Sequence, residues 1–333
     1  MRAAVLTKLN NPLIVADVSL TKLQIGQVLV KVNLSGICGA QLQEIRGEKN
    51  NEKFLPHLLG HEGVGIVSDV GPGVTKVGVG DRVIMHWRKS TGIESPFPEY
   101  IYNGNKIQSG KVTTLSEYSI VSENRLTPIE QNISDEVGAL LGCGLSTALG
   151  VIDHDANIKL GETVLIIGCG GVGLNLIAGC RLSGAGNIFA CDINKDKQPV
   201  VDKLGGISIY KKDDIKCKID CIIDTTGNLD VISDYISLLS NTGRIILISQ
   251  PKANSCFKFK NPNNLFVGDG ISIITTQGGK FNPDRDMYRY INLISKHTSI
   301  ITSIITHTLP LEEINTGIDI LQTGKAGRIM ITP

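Results

Sequence analysis

The chain has 333 residues, of which 41% are hydrophobic and 20% charged, and a formal net charge of +1. It is long enough for two domains with separate cores, and its near-neutral charge gives no support for nucleic acid or a membrane surface as partner. The start Met1-Arg2-Ala3-Ala4-Val5-Leu6 is too short an apolar run for a secretory signal and no later segment is long enough to cross a bilayer, so a cytoplasmic location is expected and the eight cysteines read as free thiols or metal ligands.

The first third carries short strand-like runs punctuated by glycine. Val28-Leu29-Val30-Lys31-Val32, Gly65-Ile66-Val67 and Asp81-Arg82-Val83-Ile84-Met85 predict strands, and Gly71-Pro72-Gly73 predicts a turn. Together they predict a β-rich domain. Segment 88–112 is polar, carries Pro96 and Pro98, lacks periodicity and reads as a long loop. From about residue 145 the pattern becomes strand alternating with helix. Strands are expected at Val164–Ile167, Ile188–Cys191, Cys221–Ile223, Arg244–Ile248 and Ile271–Ile274, with a helix from Val172. Continuous apolar strands of this kind belong to a doubly wound parallel sheet in an α/β domain. After Gly278-Gly279 the tail is helical and ends in a strand, Arg328–Ile331, expected to return to the first domain. The predicted divisions are therefore 1–144, 145–277 and 278–333. Lys211-Lys212 and Lys216 with Lys218 read as solvated surface.

Gly168-Cys169-Gly170-Gly171-Val172-Gly173 fits G-x-G-x-x-G between a predicted strand and a predicted helix, the context a dinucleotide site requires. Gly168 permits the tight turn, Gly170 lets the backbone approach a pyrophosphate, and Gly173 permits close helix–strand packing. Gly171 and Val172 open the helix, whose N-terminal N–H groups suit an anion. Asp192 ends the next strand, where a carboxylate binds the ribose 2′-hydroxyl and repels a 2′-phosphate, which favours NAD(H) over NADP(H). Cys169 occupies an unconstrained position of the motif.

Three further residues have metal-ligand chemistry. Cys38 lies in Gly36-Ile37-Cys38-Gly39, His61 in Gly60-His61-Glu62-Gly63, and Cys143 in Gly142-Cys143-Gly144. Singly, each also fits a packed thiol or a satisfied core histidine. Jointly, flanked by glycine and set around a nucleotide motif, they predict a zinc site with three protein ligands and an open fourth position.

With these motifs in place, the chain resembles the zinc-dependent medium-chain dehydrogenase/reductase superfamily. Within it the likeness is to alcohol dehydrogenases of the glutathione-dependent formaldehyde dehydrogenase type. The matching residues are Gly60-His61-Glu62, Leu141 to Thr147, the glycine motif, Cys191 to Lys197 and Ile305 to Pro310. The resemblance implies a GroES-like catalytic domain and a Rossmann domain, one catalytic Zn²⁺ per chain, NAD, and an alcohol or carbonyl substrate. It also implies a homodimer or homotetramer. Cys38, His61 and Cys143 fall on the zinc ligands and Glu62 on the acid behind the metal. Thr147 falls near the nicotinamide, Lys197 near the adenine ribose and Arg328 at the pyrophosphate. A structural ion pair is the alternative role for Glu62 and Arg328.

The chain departs from the family pattern at Ala40, where relatives carry a Ser or Thr that starts a proton relay, and at Gln43, near the histidine that finishes it. Gln41 replaces the acid that supports the zinc-bound histidine, and its amide is expected to accept from the imidazole N–H. Segment 88–112 lacks the four cysteines of a structural zinc lobe. Ala40 and Trp87 fall on the substrate pocket, while packing serves equally well for Trp87. His86 reads as a packed or surface residue. Arg88, Lys89, Lys106 and Lys111 read as a solvated loop that also suits an anionic substrate. The changed relay argues against ethanol and for a functionalised alcohol such as a polyol or sugar-derived alcohol. A non-catalytic NAD-binding protein and a zinc-free quinone reductase are the alternatives.

Overall fold

Eleven residues, Gln27–Ile37, form the strand around which the first unit is built. Valines at 28, 30 and 32 send every second side chain into a core shared with Val67, Val83, Met85, Val121 and Leu126. The computed structural model describes residues 1–333 except 50, 252–254, 258–262, 264, 265 and 267–269. It divides into a first unit, Met1–Gly144, Asn282–Thr298 and Ile305–Pro333, and a second, Leu145–Phe281 and Ser299–Ile304. The tail therefore does not join the first unit as one piece from 278, because 278–281 and 299–304 group with the second.

In the first unit a seven-stranded sheet has the order Leu126–Pro128, Arg82–His86, Glu62–Val70, Gln27–Ile37, Arg328–Thr332, Ile305–Pro310, with Tyr118–Ser122 also pairing to Gln27–Ile37. The central pairs are antiparallel, with Glu62 opposite His86, Ser35 opposite Gly63, and Ile37 opposite Ile329. This register fixes what shares an edge. Cys38 follows one strand, His61 precedes the next, Trp87 follows the third and Arg328 begins the fourth, all at one end of the sheet.

Segment 88–112 is not the featureless loop its composition suggests. Tyr100–Tyr102 and Asn105–Ile107 pair as a hairpin that also carries Ser19–Leu20. Asn103 and Gly104 turn it with φ of 50° and 75°. Two positive φ values in a two-residue loop match the twist of the strands it joins, and Asn-Gly is the dipeptide that adopts them most readily.

The second unit holds a six-stranded sheet, all parallel, in the order Ile207–Ile209, Ile188–Cys191, Val164–Ile167, Ile219–Asp224, Leu239–Leu247, Ser272–Thr275. Val164–Ile167 is buried throughout, as a strand covered on both faces must be. The chain reverses its direction of winding at this strand, and ligands of open α/β sheets bind beyond its carboxyl end. Ile207–Ile209, too short to stand out in the sequence, is the strand the reading above omits.

Candidate metal centre and nucleotide-binding loop

The shared sheet edge, together with the turn after helix Asp135–Leu141, brings Cys38, His61 and Cys143 together within the first unit. One ligand atom from each lies within 4.8 Å of the others, close enough to hold a metal ion. The glycines around them are steric requirements. A Cβ on Gly142 would stand 2.6 Å from the Met85 carbonyl oxygen and 2.8 Å from Glu62 Cα, so only glycine lets the Cys143 turn press on that strand pair. A Cβ on Gly36 would stand 2.5 Å from Glu62 Oε1. The space it would fill is used by a buried ion pair between Glu62 and Arg328, whose side chains are 0% and 3% exposed. Glu62 Oε2 also accepts from Gly144 N–H at 3.2 Å, which ties the Cys143 turn to the carboxylate.

The donor set is chemically suited to zinc. A hydrogen bond from Cys143 holds the Cys38 thiol well below the ordinary thiol range. Burial opposes that shift, and His61 and Arg328 reinforce it. Thiolate is the form that binds metal. Gln41 behaves differently from the expectation. Its Oε1 accepts from Cys38 N–H at 2.9 Å as part of the cap of helix Gly39–Ile45, and its Nε2 faces His61 Nδ1 at 2.6 Å. The amide thus presents its donor to the ring. A metal bound through Nε2 requires the ring proton at Nδ1, and so an amide turned to offer its oxygen.

The nucleotide loop lies in the second unit. Helix Gly171–Leu182 opens directly from the glycine turn, with Gly170 as its N-cap and Val172 in its first turn. Gly168 has φ +91°, and a Cβ there would stand 2.4 Å from Thr225 Oγ1. A Cβ on Gly173 would stand 1.9 Å from the Gly168 oxygen, whereas one on Gly170 would project into open space. Two glycines therefore close the turn, and the third keeps clear the approach that a pyrophosphate would need. Asp192 accepts from Cys169 N–H at 2.6 Å and from Asn194 N–H at 2.8 Å. Lys197 lines the same small hollow as Asp192, and its burial draws its pKa down while Asp192 opposes the shift.

Residues 24–131 match the family model described as alcohol dehydrogenase GroES-like domain, and residues 171–296 the one described as zinc-binding dehydrogenase. The chain belongs to the zinc-binding dehydrogenases of the alcohol dehydrogenase type. Solved structures agree on the fold across the chain. An alcohol dehydrogenase zinc-binding domain protein from Burkholderia ambifaria has a TM-score of 0.90 at 21% identity, covering 99% of this chain and 98% of that one. The benzyl alcohol dehydrogenase of Acinetobacter calcoaceticus has 0.86 at 21%, with the same coverage. Alcohol dehydrogenase TADH from Thermus sp. ATN1 has 0.82 at 25%, covering 100% and 99%. Among the described residues no single helix is long and apolar enough to cross a membrane.

The remaining positions that the family resemblance singles out are placed on both units. Thr147 is buried on helix Gly144–Gly150 in the second unit. Arg328 is engaged by Glu62 within the first unit. Trp87 lines a cavity of about 530 Å³ that reaches His61. Ala40 sits in the first turn of helix Gly39–Ile45 and is not among the residues lining this cavity, whose wall comes from segments around 44–61, 87–97 and 108–112 and from Arg125. Sequence reasoning missed Phe54 and Phe97 on that wall, because neither belongs to a periodic run.

His86 is a packed residue. Its Nδ1–H donates to the Arg88 carbonyl at 2.6 Å and its Nε2 accepts from Thr127 Oγ1 at 3.0 Å. Burial pushes its pKa down to about 4. Between that value and about 6.5 the unfolded chain binds a proton that the folded one refuses, so stability falls as pH drops through this window. We expect a loss of about 3 kcal/mol from this group alone. Urea midpoints compared between pH 7 and pH 4 for the wild type and His86→Asn measure it. An equal slope in the two proteins would refute the assignment.

Proposed function

We propose that this chain is a zinc- and NAD(H)-dependent dehydrogenase that interconverts an alcohol with its aldehyde or ketone. The observation carrying the reading is the convergence of two thiols and an imidazole, one of the thiols held acidic, beside a cavity. When bound there by Cys38, His61 and Cys143, zinc would supply Lewis acidity toward the alcohol or carbonyl oxygen. NAD⁺, held at the glycine turn from Gly168 to Gly173, would supply a two-electron acceptor for the hydride of the alcohol carbon, and the hydroxyl proton would have to leave separately.

The chain's own residues orient and exclude. Glu62, buried against Arg328, anchors the Cys143 turn through Gly144 N–H. Ala40 cannot carry the proton. Gln43 is exposed on the helix. Nor does His57 substitute, because its Nδ1 is engaged by the Leu58 carbonyl and its Nε2 by Asn51. In our reading the proton therefore leaves through water in the cavity. Gly168, Gly170, Gly171, Val172 and Gly173 would cradle the pyrophosphate of the cofactor, Asp192 would accept from the ribose hydroxyls, and Lys197 would lie beside them.

Two measurements test this. Elemental analysis of protein purified without chelators should give one zinc per chain. Stopped-flow NADH absorbance across an alcohol and aldehyde panel should show hydride transfer. Zinc without transfer to any substrate would support a non-catalytic NAD-binding role, and absence of zinc a quinone-reductase chemistry. Separately, Asp192→Ala should raise the Kd for NAD⁺ about tenfold or more, the worth of a charge-assisted hydrogen bond, and shrink the preference over NADP⁺. Unaltered preference in titration calorimetry would remove Asp192 from that role.

A further inference from the structure

The cavity beside His61 lies wholly within the first unit, and its walls say what it takes. Its volume of about 530 Å³ falls in the range that encloses an organic ligand, far beyond what a two-carbon alcohol fills. Phe54, Trp87 and Phe97 contribute three aromatic faces, and Leu58, Leu59 and Val112 complete an apolar lining. The wall is anchored by backbone pairing. Leu58 N–H donates to the Gln108 carbonyl at 3.1 Å, and Gln108 N–H to the Pro56 carbonyl at 3.3 Å.

Three cations also line it, and two carboxylates, Glu44 and Glu94, pair with them. Lys49 pairs with Glu44 at 2.9 Å. Lys111 pairs with Glu94 at 3.2 Å and donates to the Ser95 carbonyl at 2.7 Å. Arg125 pairs with the same Glu94 at 3.2 Å and donates to the Trp87 carbonyl. Against a partial burial that opposes it, hydrogen bonds from Asn124, Arg125 and Lys111 hold the Glu94 carboxyl down to about 2, so it stays charged and the pairs persist. An anionic substrate would compete with Glu44 and Glu94 for these cations. Of the other polar groups on the wall, Asn51 Nδ2 donates to the Glu44 carbonyl and to His57, and Ser109 to the Pro98 carbonyl, while the buried Asn51 Oδ1 and Arg125 Nε have no partner among the described residues. A polyol, which needs several hydroxyls matched, would lose hydration against the apolar lining of Phe54, Leu58, Leu59, Trp87, Phe97 and Val112.

We propose that the substrate is a bulky aryl alcohol or aryl aldehyde whose ring stacks among Trp87, Phe54 and Phe97 while its oxygen points toward His61. This rests on the dehydrogenase function proposed above, and it replaces the polyol expectation drawn from the missing relay.

Trp87 is the only tryptophan in the chain, so its emission reports on the cavity alone. Zinc-loaded protein without NAD⁺ is titrated with benzyl alcohol, xylitol and ethanol. Benzyl alcohol should change the emission saturably and the other two should not. With NAD⁺, kcat/KM should favour benzyl alcohol. Phe54→Ala and Phe97→Ala remove side chains that are 46% and 58% exposed, so the fold should tolerate both. Each should raise KM for benzyl alcohol about fivefold more than KM for ethanol, the worth of one aromatic contact. An emission unmoved by benzyl alcohol overturns the assignment whatever the enzyme oxidises, as does a kcat/KM preference for xylitol. Saturable binding of benzyl alcohol with no hydride transfer from any alcohol would instead overturn the dehydrogenase function and keep the aryl site.

Discussion

Cys143→Ser should strip the proposed zinc from the chain and lower kcat/KM for alcohol oxidation by about a thousandfold or more, the scale of several kcal/mol of lost electrophilic assistance. Serine keeps the size of the side chain but not its chemistry, since its hydroxyl stays protonated where a thiolate would bind metal. Cys143 is only partly buried, and thermal stability of the metal-free protein should change little. Elemental analysis and stopped-flow hydride transfer read the outcome together. Full zinc occupancy with an undiminished rate would sink the ligand assignment.

Arg328→Met should destabilise the first unit by about 3–5 kcal/mol, because it leaves the Glu62 carboxylate buried with no counter-charge. Domains are stable by only about 5–15 kcal/mol, so this single change approaches unfolding. Adding Glu62→Gln to the same chain should restore most of the loss, since an uncharged amide can be buried where an unpaired carboxylate cannot. Urea midpoints of the wild type, each single variant and the double variant form a closed cycle. If Arg328→Met alone is as stable as the wild type, the pair is a bystander.

Much of this was legible in the residues, and the reasons for the rest are specific. Five of the six parallel strands contain a short apolar run, and the glycine turn stands between a strand and a helix, so local pattern identified the second unit. Ile207–Ile209 escaped because three residues carry no period. Asn103-Gly104 was a readable hairpin signal, hidden by the prolines that made its surroundings look like loop. Cys38, His61 and Cys143 could be proposed as ligands from their glycine flanks, but their approach within 4.8 Å follows from strand register, which no local pattern encodes. Gln41 shows the same limit. Its residue type suggested an acceptor for the imidazole, but the cap of its own helix engages the oxygen first. The cavity walls were the least visible, because Phe54 and Phe97 come from irregular segments joined only by tertiary pairing.

The strand order of the first sheet has a consequence for how the chain comes to life. Gln27–Ile37 lies beside Arg328–Thr332, and the whole second unit is threaded between them in sequence. On a ribosome the early strands emerge long before their neighbour exists, and closing so long a loop delays that pairing further. Until it arrives, Glu62 has no guanidinium beside it and the end of the sheet that carries Cys38 is an open edge. Completion of the sheet and completion of the ion pair behind the donor site are thus one event. A nascent or truncated chain lacking that strand would carry every proposed ligand in its sequence and still offer a metal no finished place to bind.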